Sequence, residues 1–138
     1  MRKIYNVALH NRAREAEFAV MKFLKENEEI FGTPTHCGDT DFTKDIVTTK
    51  LDIEVEWREK HWLAHQEEFP YLTITIPARK QYKIPRLYFV VRADCKKTIM
   101  FGAEEFQHAK HIIKDNIYAN QEEFIELKRE DGEYFDLN

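Results

Sequence analysis

The spacing of apolar residues changes from a helical period to a strand period near residue 40, which limits the chain to a fold that combines both elements. Between residues 10 and 29, the apolar residues that recur every three or four positions are Ala13, Ala16, Val20, Phe23 and Leu24. This rhythm predicts one amphipathic helix, with Asn11 as a candidate N-cap. Gly32 and Pro34 predict its end, because neither residue type continues a helix.

Apolar and charged residues alternate in the next segment. The alternation predicts strands over 45–48 and 51–58, joined by a tight turn near Lys50. The second strand has one face with Leu51, Ile53, Val55 and Trp57 and another with Asp52, Glu54, Glu56 and Arg58. Further predicted elements are strands over 71–76, 86–91 and 97–101, a helix over about 103–115 and a last edge strand over 123–128.

These elements predict a mixed α/β fold in which helices pack on a central mixed β-sheet. The chain has 138 residues and fits a single domain, 1–138, that buries a core without disulfides or a structural metal. The nearly continuous apolar run at 86–91 is typical of a central strand. Ile53, Val55 and Trp57 are the expected floor for the first helix.

Composition narrows the class of protein. Lys and Arg number 21 against 25 for Asp and Glu, and the net charge of −4 argues against a generally basic nucleic-acid coat. No apolar run approaches the roughly 18 residues that a membrane span needs, so no membrane partner is expected. Cys37 and Cys95 lie in no metal-type spacing and, without an export signal, are expected to be reduced thiols in a cytoplasmic protein.

Three carboxylates fall where a hairpin would bring them together. Asp45 begins one predicted strand, Glu54 follows nine residues later on its neighbour, and Glu56 stands two positions beyond. Carboxylate oxygens on rigid strands suit Mg²⁺ when phosphate oxygens and water complete its coordination. A solvated strand face is the alternative, since such alternation is common on half-exposed antiparallel strands. The like charges of Asp52, Glu54 and Glu56 on one face favour a nearby cation.

The segment 45–58, with the helix around Glu17 before it, resembles the PD-(D/E)XK nuclease superfamily, which includes restriction endonucleases and Holliday-junction resolvases. That family has a helix with a glutamate, an aspartate that starts a strand, and an Asp/Glu-x-Lys motif in the next strand. Asp45 matches the aspartate, and Glu54-Val55-Glu56 matches the motif. The resemblance covers residues 10 to about 95 and implies a restriction-endonuclease-like sheet flanked by helices.

The resemblance also implies an activity, which is Mg²⁺- or Mn²⁺-dependent hydrolysis of DNA by a homodimer. Asp45 and Glu54 would be metal ligands, together with the backbone carbonyl of Val55, and Glu17 would support the metal site from the helix. Glu56 stands where the family usually has lysine. A carboxylate there would position or deprotonate the attacking water, but it lacks the positive charge of lysine.

The densest basic stretch of the chain contains Arg79, Lys80, Lys83 and Arg86. Arg79, Lys80 and Lys83 are predicted to contact the DNA backbone, and Lys80 would supply the charge missing at Glu56. An exposed basic loop is the alternative. In a second register of the motif, Arg58 takes the lysine position, where the high pKa of its guanidinium makes it a poor base.

Two other functions fit the same residues. One is a nuclease-fold module that has lost catalysis and binds nucleic acid or protein, for which Glu56 in the lysine position is the main argument. The other is a protein-interaction domain whose acidic strand face is only solvated. Nucleotide cofactors and serine hydrolases are not favoured, because the sequence lacks the glycine-rich loops and the nucleophile elbow that they use.

Overall fold

The computed structural model describes residues 7–37, 45–77, 87–114 and 122–137. The helices are α1 (Val7–Lys25), α2 (Glu28–Phe31) and α3 (Ala103–Gln107), with a 3-10 helix at Arg129–Asp131. The strands are β1 (Pro34–His36), β2 (Ile46–Thr48), β3 (Asp52–Arg58), β4 (Thr73–Pro77), β5 (Leu87–Arg92), β6 (Lys97–Gly102), β7 (Lys110–Lys114), β8 (Glu122–Lys128) and β9 (Glu133–Asp136).

The strands form two sheets. Six strands in the order β1-β2-β3-β5-β6-β9 make a mixed sheet, and three in the order β4-β8-β7 make an antiparallel one. Within the larger sheet, β3 and β5 run parallel and the other neighbours run antiparallel. The mixed α/β class is therefore confirmed. Within the described ranges, no helix combines the length and apolar character needed to cross a bilayer.

The six-stranded sheet separates two cores. On one face α1 buries Val20 and Leu24 against Ile53, Phe89 and their neighbours. The predicted floor of the first helix is confirmed, since Val55 and Trp57 pack on the same cluster. On the other face, the three-stranded sheet and the loop after β3 supply a second set of buried residues that includes Trp62, Phe69, Ile74, Tyr88 and Ile125. Strand β5 is almost wholly buried because both its faces are covered.

Helix α1 begins before the predicted N-cap Asn11 and ends before the predicted stop at Gly32 and Pro34. The helix stops at Lys25, where Lys22 and Lys25 complement the negative end of the helix dipole. The side chain of Asn27 donates a 2.8 Å hydrogen bond to the carbonyl of Phe23, which satisfies one of the last helical acceptors. After the single turn of α2, Gly32 takes a φ of +86°, a conformation that favours glycine.

Two predictions about the second half of the chain are wrong. The helix predicted over about 103–115 is helical only over α3, and Lys110–Lys114 forms β7, because two β-branched isoleucines pair with β8. Strand β8 is not an edge strand, since it lies between β4 and β7. The face of the six-stranded sheet opposite α1 is covered by the three-stranded sheet together with α3, whose Phe106 lies in the same core as Tyr88.

Gly132 allows the chain after the 3-10 helix to pass close to β6. A Cβ atom there would lie 2.5 Å from Cγ1 of Ile99 and 2.9 Å from Cε1 of Phe101, both of which are buried. We expect Gly132→Ala to lower the free energy of unfolding by about 1–2 kcal/mol, because the core must shift to admit the methyl group. Urea denaturation measures this loss.

Gly102→Ala is the matched control for that variant. The nearest atoms to its added Cβ would be the carboxylate oxygens of Glu105, at 3.6 and 3.7 Å, which is ordinary contact distance. The midpoint of its urea-induced unfolding should stay near that of the unmodified protein. Equal midpoints for Gly132→Ala and Gly102→Ala would contradict the close-packing explanation.

Candidate functional site

Asp45 lies at the start of β2 and is held against β3. Its Oδ2 accepts a 2.8 Å hydrogen bond from the backbone N–H of Val55, and its own N–H donates to the carbonyl of Ile53 at 3.3 Å. Ile46 pairs with Ile53 in the antiparallel ladder, so the next position along places Asp45 opposite Glu54. The structure therefore brings the two predicted metal ligands to facing positions of one hairpin.

The hairpin turn is formed by local chemistry at Thr48. Its Oγ1 accepts from the backbone N–H groups of Lys50 and Leu51 at 3.1 and 2.9 Å, and its own N–H donates to the carbonyl of Leu51 at 2.7 Å. A threonine hydroxyl at the first position of a turn stabilises it in this way. The predicted tight turn near Lys50 is confirmed, and it sets the register that aligns Asp45 with Glu54.

The carbonyl of Val55 points toward the same side of β3 as Asp45. Within a strand, the N–H and C=O groups of one residue project in the same direction. Because the Val55 N–H donates to Asp45, its carbonyl also projects toward the β2 side. The Val55 side chain packs in the core beneath α1, which fixes the backbone at this position.

Glu56 joins the six-stranded sheet to the three-stranded sheet. Its Oε1 lies 2.7 Å from Nε of Arg58 in an ion pair, and its Oε2 accepts a hydrogen bond from the hydroxyl of Tyr88. The first contact is electrostatic, because the buried Nε–H of Arg58 is not directed at any acceptor in the described part of the chain. Nη2 of Arg58 then donates to the carbonyl of Thr75 on β4 at 2.9 Å. Both oxygens of Glu56 thus have protein partners.

Tyr88 is the buried end of this network. Its side chain is 0% exposed, and burial raises its pKa well above the usual range. The neighbouring Glu56 carboxylate raises the pKa further, through its charge and through the hydrogen bond that it accepts. Tyr88 therefore remains a neutral hydrogen-bond donor to Glu56 at physiological pH.

His36 on β1 contacts Glu17 on α1. Nε2 of His36 lies 2.6 Å from Oε1 of Glu17, with the side chains only 17% and 18% exposed. His36 pairs with Ile46 across the β1–β2 ladder, and the next residue, Cys37, donates its N–H to the carbonyl of Asp45 at 3.0 Å. Sequence reasoning missed His36, because a contact across 19 positions leaves no periodic signal.

The predicted catalytic carboxylates do not gather into one group. Glu17 belongs to α1 and lies on the α1 side of the six-stranded sheet, where Ile53 is also buried. Glu54 and Glu56 project from β3 on the other side of that sheet. Over residues 7–37, 45–77, 87–114 and 122–137, no three His, Cys, Asp or Glu side chains are close enough to hold a metal ion. A metal at Asp45 would therefore have at most two carboxylate ligands from these ranges.

The predicted DNA-contacting residues Arg79, Lys80 and Lys83 lie outside the described residues, within 78–86. Comparisons of the chain with protein-family models, with curated proteins and with solved structures found no match. The candidate site therefore depends on its own geometry.

Proposed function

We propose that the protein is a metal-dependent nuclease that hydrolyses phosphodiester bonds of DNA. The observation that carries this proposal is the fixed position of Asp45, whose carboxylate is bonded to the Val55 N–H and faces Glu54 across the hairpin. An aspartate at the start of one strand beside a glutamate in the next strand resembles the order of the two motifs in the PD-(D/E)XK nucleases. A carboxylate anchored by a backbone N–H on a rigid strand is pre-organised, which a catalytic site requires.

The donors at the hairpin suit Mg²⁺ or Mn²⁺. Asp45, Glu54 and the Val55 carbonyl would present oxygen atoms only, and Mg²⁺ usually takes one or two carboxylates and fills its remaining positions with water and phosphate oxygens. When bound, the metal would lower the pKa of water and neutralise charge on the phosphate. Glu17 is bonded to His36 on the α1 side of the sheet, and its support of the metal site stays a prediction.

Glu56 has a different role in this proposal from the one that the sequence predicts. Its two oxygens are engaged by Arg58 and Tyr88, so activating water would require one of these partners to be released. In the proposed enzyme, Glu56 holds Arg58 in place, and Arg58 fixes β3 to β4 through the Thr75 carbonyl. Homodimerisation, a cytoplasmic location and DNA contacts by Arg79, Lys80 and Lys83 stay predictions.

The same network favours a second candidate function, which is a nuclease-fold module that binds nucleic acid or protein without cutting. An ion-paired Glu56 in place of a lysine provides no cation at the hairpin. Such a module would keep the fold and the binding surface while lacking the positive charge that assists phosphoryl transfer.

Cleavage assays with Glu54→Gln distinguish these functions. Labelled linear, single-stranded and four-way-junction DNA are incubated with the protein in EDTA, Mg²⁺ or Mn²⁺. We expect metal-dependent cleavage that falls more than about a hundredfold in Glu54→Gln, since even the partners of metal ligands contribute ten- to a hundredfold to activity. DNA binding should be retained in the variant.

Asp52→Asn is the control, because Asp52 lies two positions before Glu54 on the same face of β3. This substitution removes one negative charge, as Glu54→Gln does. Its activity should stay near that of the unmodified protein. Equal losses in both variants would indicate a general effect of charge and would contradict the assigned ligand. DNA binding without cleavage would favour the non-catalytic module. If the protein neither binds nor cleaves DNA, the acidic face of β3 is a solvated surface without a role in nucleic-acid chemistry.

A further inference from the structure

Strand β7 forms one edge of the three-stranded sheet, and β4 forms the other. Among the described residues, only β8 is bonded to β7. On β4, Arg58 donates to the Thr75 carbonyl and Pro77 lacks a backbone N–H, so neither position can pair with a further strand. Strand β7 contains no proline. Within the described part of the chain, its outer edge therefore keeps the backbone groups that an added strand would use.

The side chains of β7 are exposed along this edge. Ile113 is 64% exposed, although it pairs with Glu123 in the ladder. The side chain of His111 is 42% exposed, and Lys110 is also exposed. An added strand would cover the isoleucine, and burial of such an apolar side chain favours association.

The first and last residues of β7 (Lys110–Lys114) are lysines, and β8 shows which partner this strand accepts. The two lysines pair with Glu126 and Glu122. Between them, Ile112 pairs with Phe124. Opposite charges on neighbouring strands stabilise a sheet, whereas like charges directly opposite each other destabilise it. On its paired side, β7 therefore matches a strand with the pattern acidic-x-apolar-x-acidic.

The same lysines disfavour a second copy of the chain as the partner of β7. In an antiparallel pair of two β7 strands centred on Ile112, Lys110 of each copy would lie opposite Lys114 of the other. Strand β7 has no acidic residue that would offset these charges. Lysines on an edge strand oppose self-pairing in this way, and they favour an acidic partner over a basic one.

We propose that the outer edge of β7 binds an extended acidic segment of another protein with the pattern acidic-x-apolar-x-acidic. The segment would add a fourth strand to the three-stranded sheet, with its acidic residues opposite the lysines of β7. It would also cover the exposed side chain of Ile113. This edge belongs to a different sheet from the hairpin of the proposed metal site, and its binding does not depend on nuclease activity.

Nuclear magnetic resonance of the full-length ¹⁵N-labelled chain at pH 7 tests the proposal. The probe is the peptide Glu-Glu-Phe-Ile-Glu with blocked termini, which has the sequence of residues 122–126. One comparison peptide has lysine in place of each glutamate, and another has proline at the two central positions. We expect saturable shifts of the β7 amide signals with the probe. Both comparison peptides should bind about tenfold more weakly, because one repels the lysines and the other lacks strand donors.

Lys110→Glu should weaken binding of the probe about fivefold, because it places like charges opposite each other. Lys96→Glu is the matched control, since Lys96 is exposed in the turn between β5 and β6. It should bind the probe as the unmodified chain does, and well-dispersed spectra would show that each variant is folded.

Three results would overturn the proposal. The first is the absence of saturable shifts with the probe. The second is equal binding of the proline peptide, or of the probe by Lys110→Glu, because strand pairing beside the lysine would then play no part. The third is movement of the same β7 signals by oligothymidylate at a lower concentration than the probe requires, because the edge would then be a phosphate-binding surface.

Discussion

Asp45→Asn is expected to reduce metal-dependent cleavage by more than about a hundredfold while leaving the stability of the protein almost unchanged. The amide oxygen of asparagine can still accept the hydrogen bond that the Val55 N–H donates to Asp45. The substitution therefore removes the negative charge that a divalent cation needs but keeps the anchor of the hairpin. Cleavage assays and urea denaturation on the same preparation measure the two effects separately.

Asp45→Ala gives the comparison that separates these two roles. Alanine removes both the charge and the acceptor, so the Val55 N–H loses its partner. We expect the same loss of cleavage together with a fall in the free energy of unfolding of about 1 kcal/mol, because Asp45 is partly exposed and water replaces part of the bond. If Asp45→Asn kept full activity, Asp45 would be a structural hairpin anchor and the proposed metal site would be wrong.

Local geometry explains which parts of this site the sequence predicts. Alternation along β3 assigns Ile53 and Val55 to the buried face, because the side-chain period of a strand is a property of its own backbone. The contact between Asp45 and Val55 also follows from a short hairpin, since the two residues are ten positions apart and joined by one turn. The arrangement of the hairpin can therefore be predicted from the sequence alone.

Long-range pairing explains what the sequence does not predict. Glu56 meets Tyr88 across 32 positions, and this contact exists only because β3 and β5 pair in parallel. The five residues of β7 are too few for periodicity to separate a strand from the end of a helix, and pairing with β8 decides their structure. His36 likewise meets Glu17 only once α1 packs beside β1.

The Tyr88 network predicts a particular loss of stability at alkaline pH. In the folded protein, burial and the Glu56 carboxylate raise the pKa of Tyr88, whereas the unfolded chain has the ordinary value of about 10. Above that value the unfolded chain releases a proton that the folded chain retains, so alkali favours unfolding. The contribution of Tyr88 is therefore fully present below about pH 10 and is lost as the pH rises toward its folded pKa.

Tyr88→Phe should remove this pH dependence and also weaken the fold at neutral pH. Without the hydroxyl, Oε2 of Glu56 loses its donor, and we expect a loss of about 1–2 kcal/mol in the free energy of unfolding near pH 7. Above pH 10, the unmodified protein should lose up to about 1.4 kcal/mol per pH unit more than the variant. Urea denaturation at neutral and alkaline pH measures both effects.

Tyr71→Phe is the matched control, because Tyr71 is 56% exposed and loses the same hydroxyl group. Its stability curve should follow that of the unmodified protein at every pH. Burial also raises the pKa of Tyr134, so a smaller alkaline slope should persist in Tyr88→Phe. Parallel stability curves for Tyr88→Phe and the unmodified protein above pH 10 would contradict the network, because they would mean that Tyr88 ionises as easily in the folded protein as in the unfolded chain.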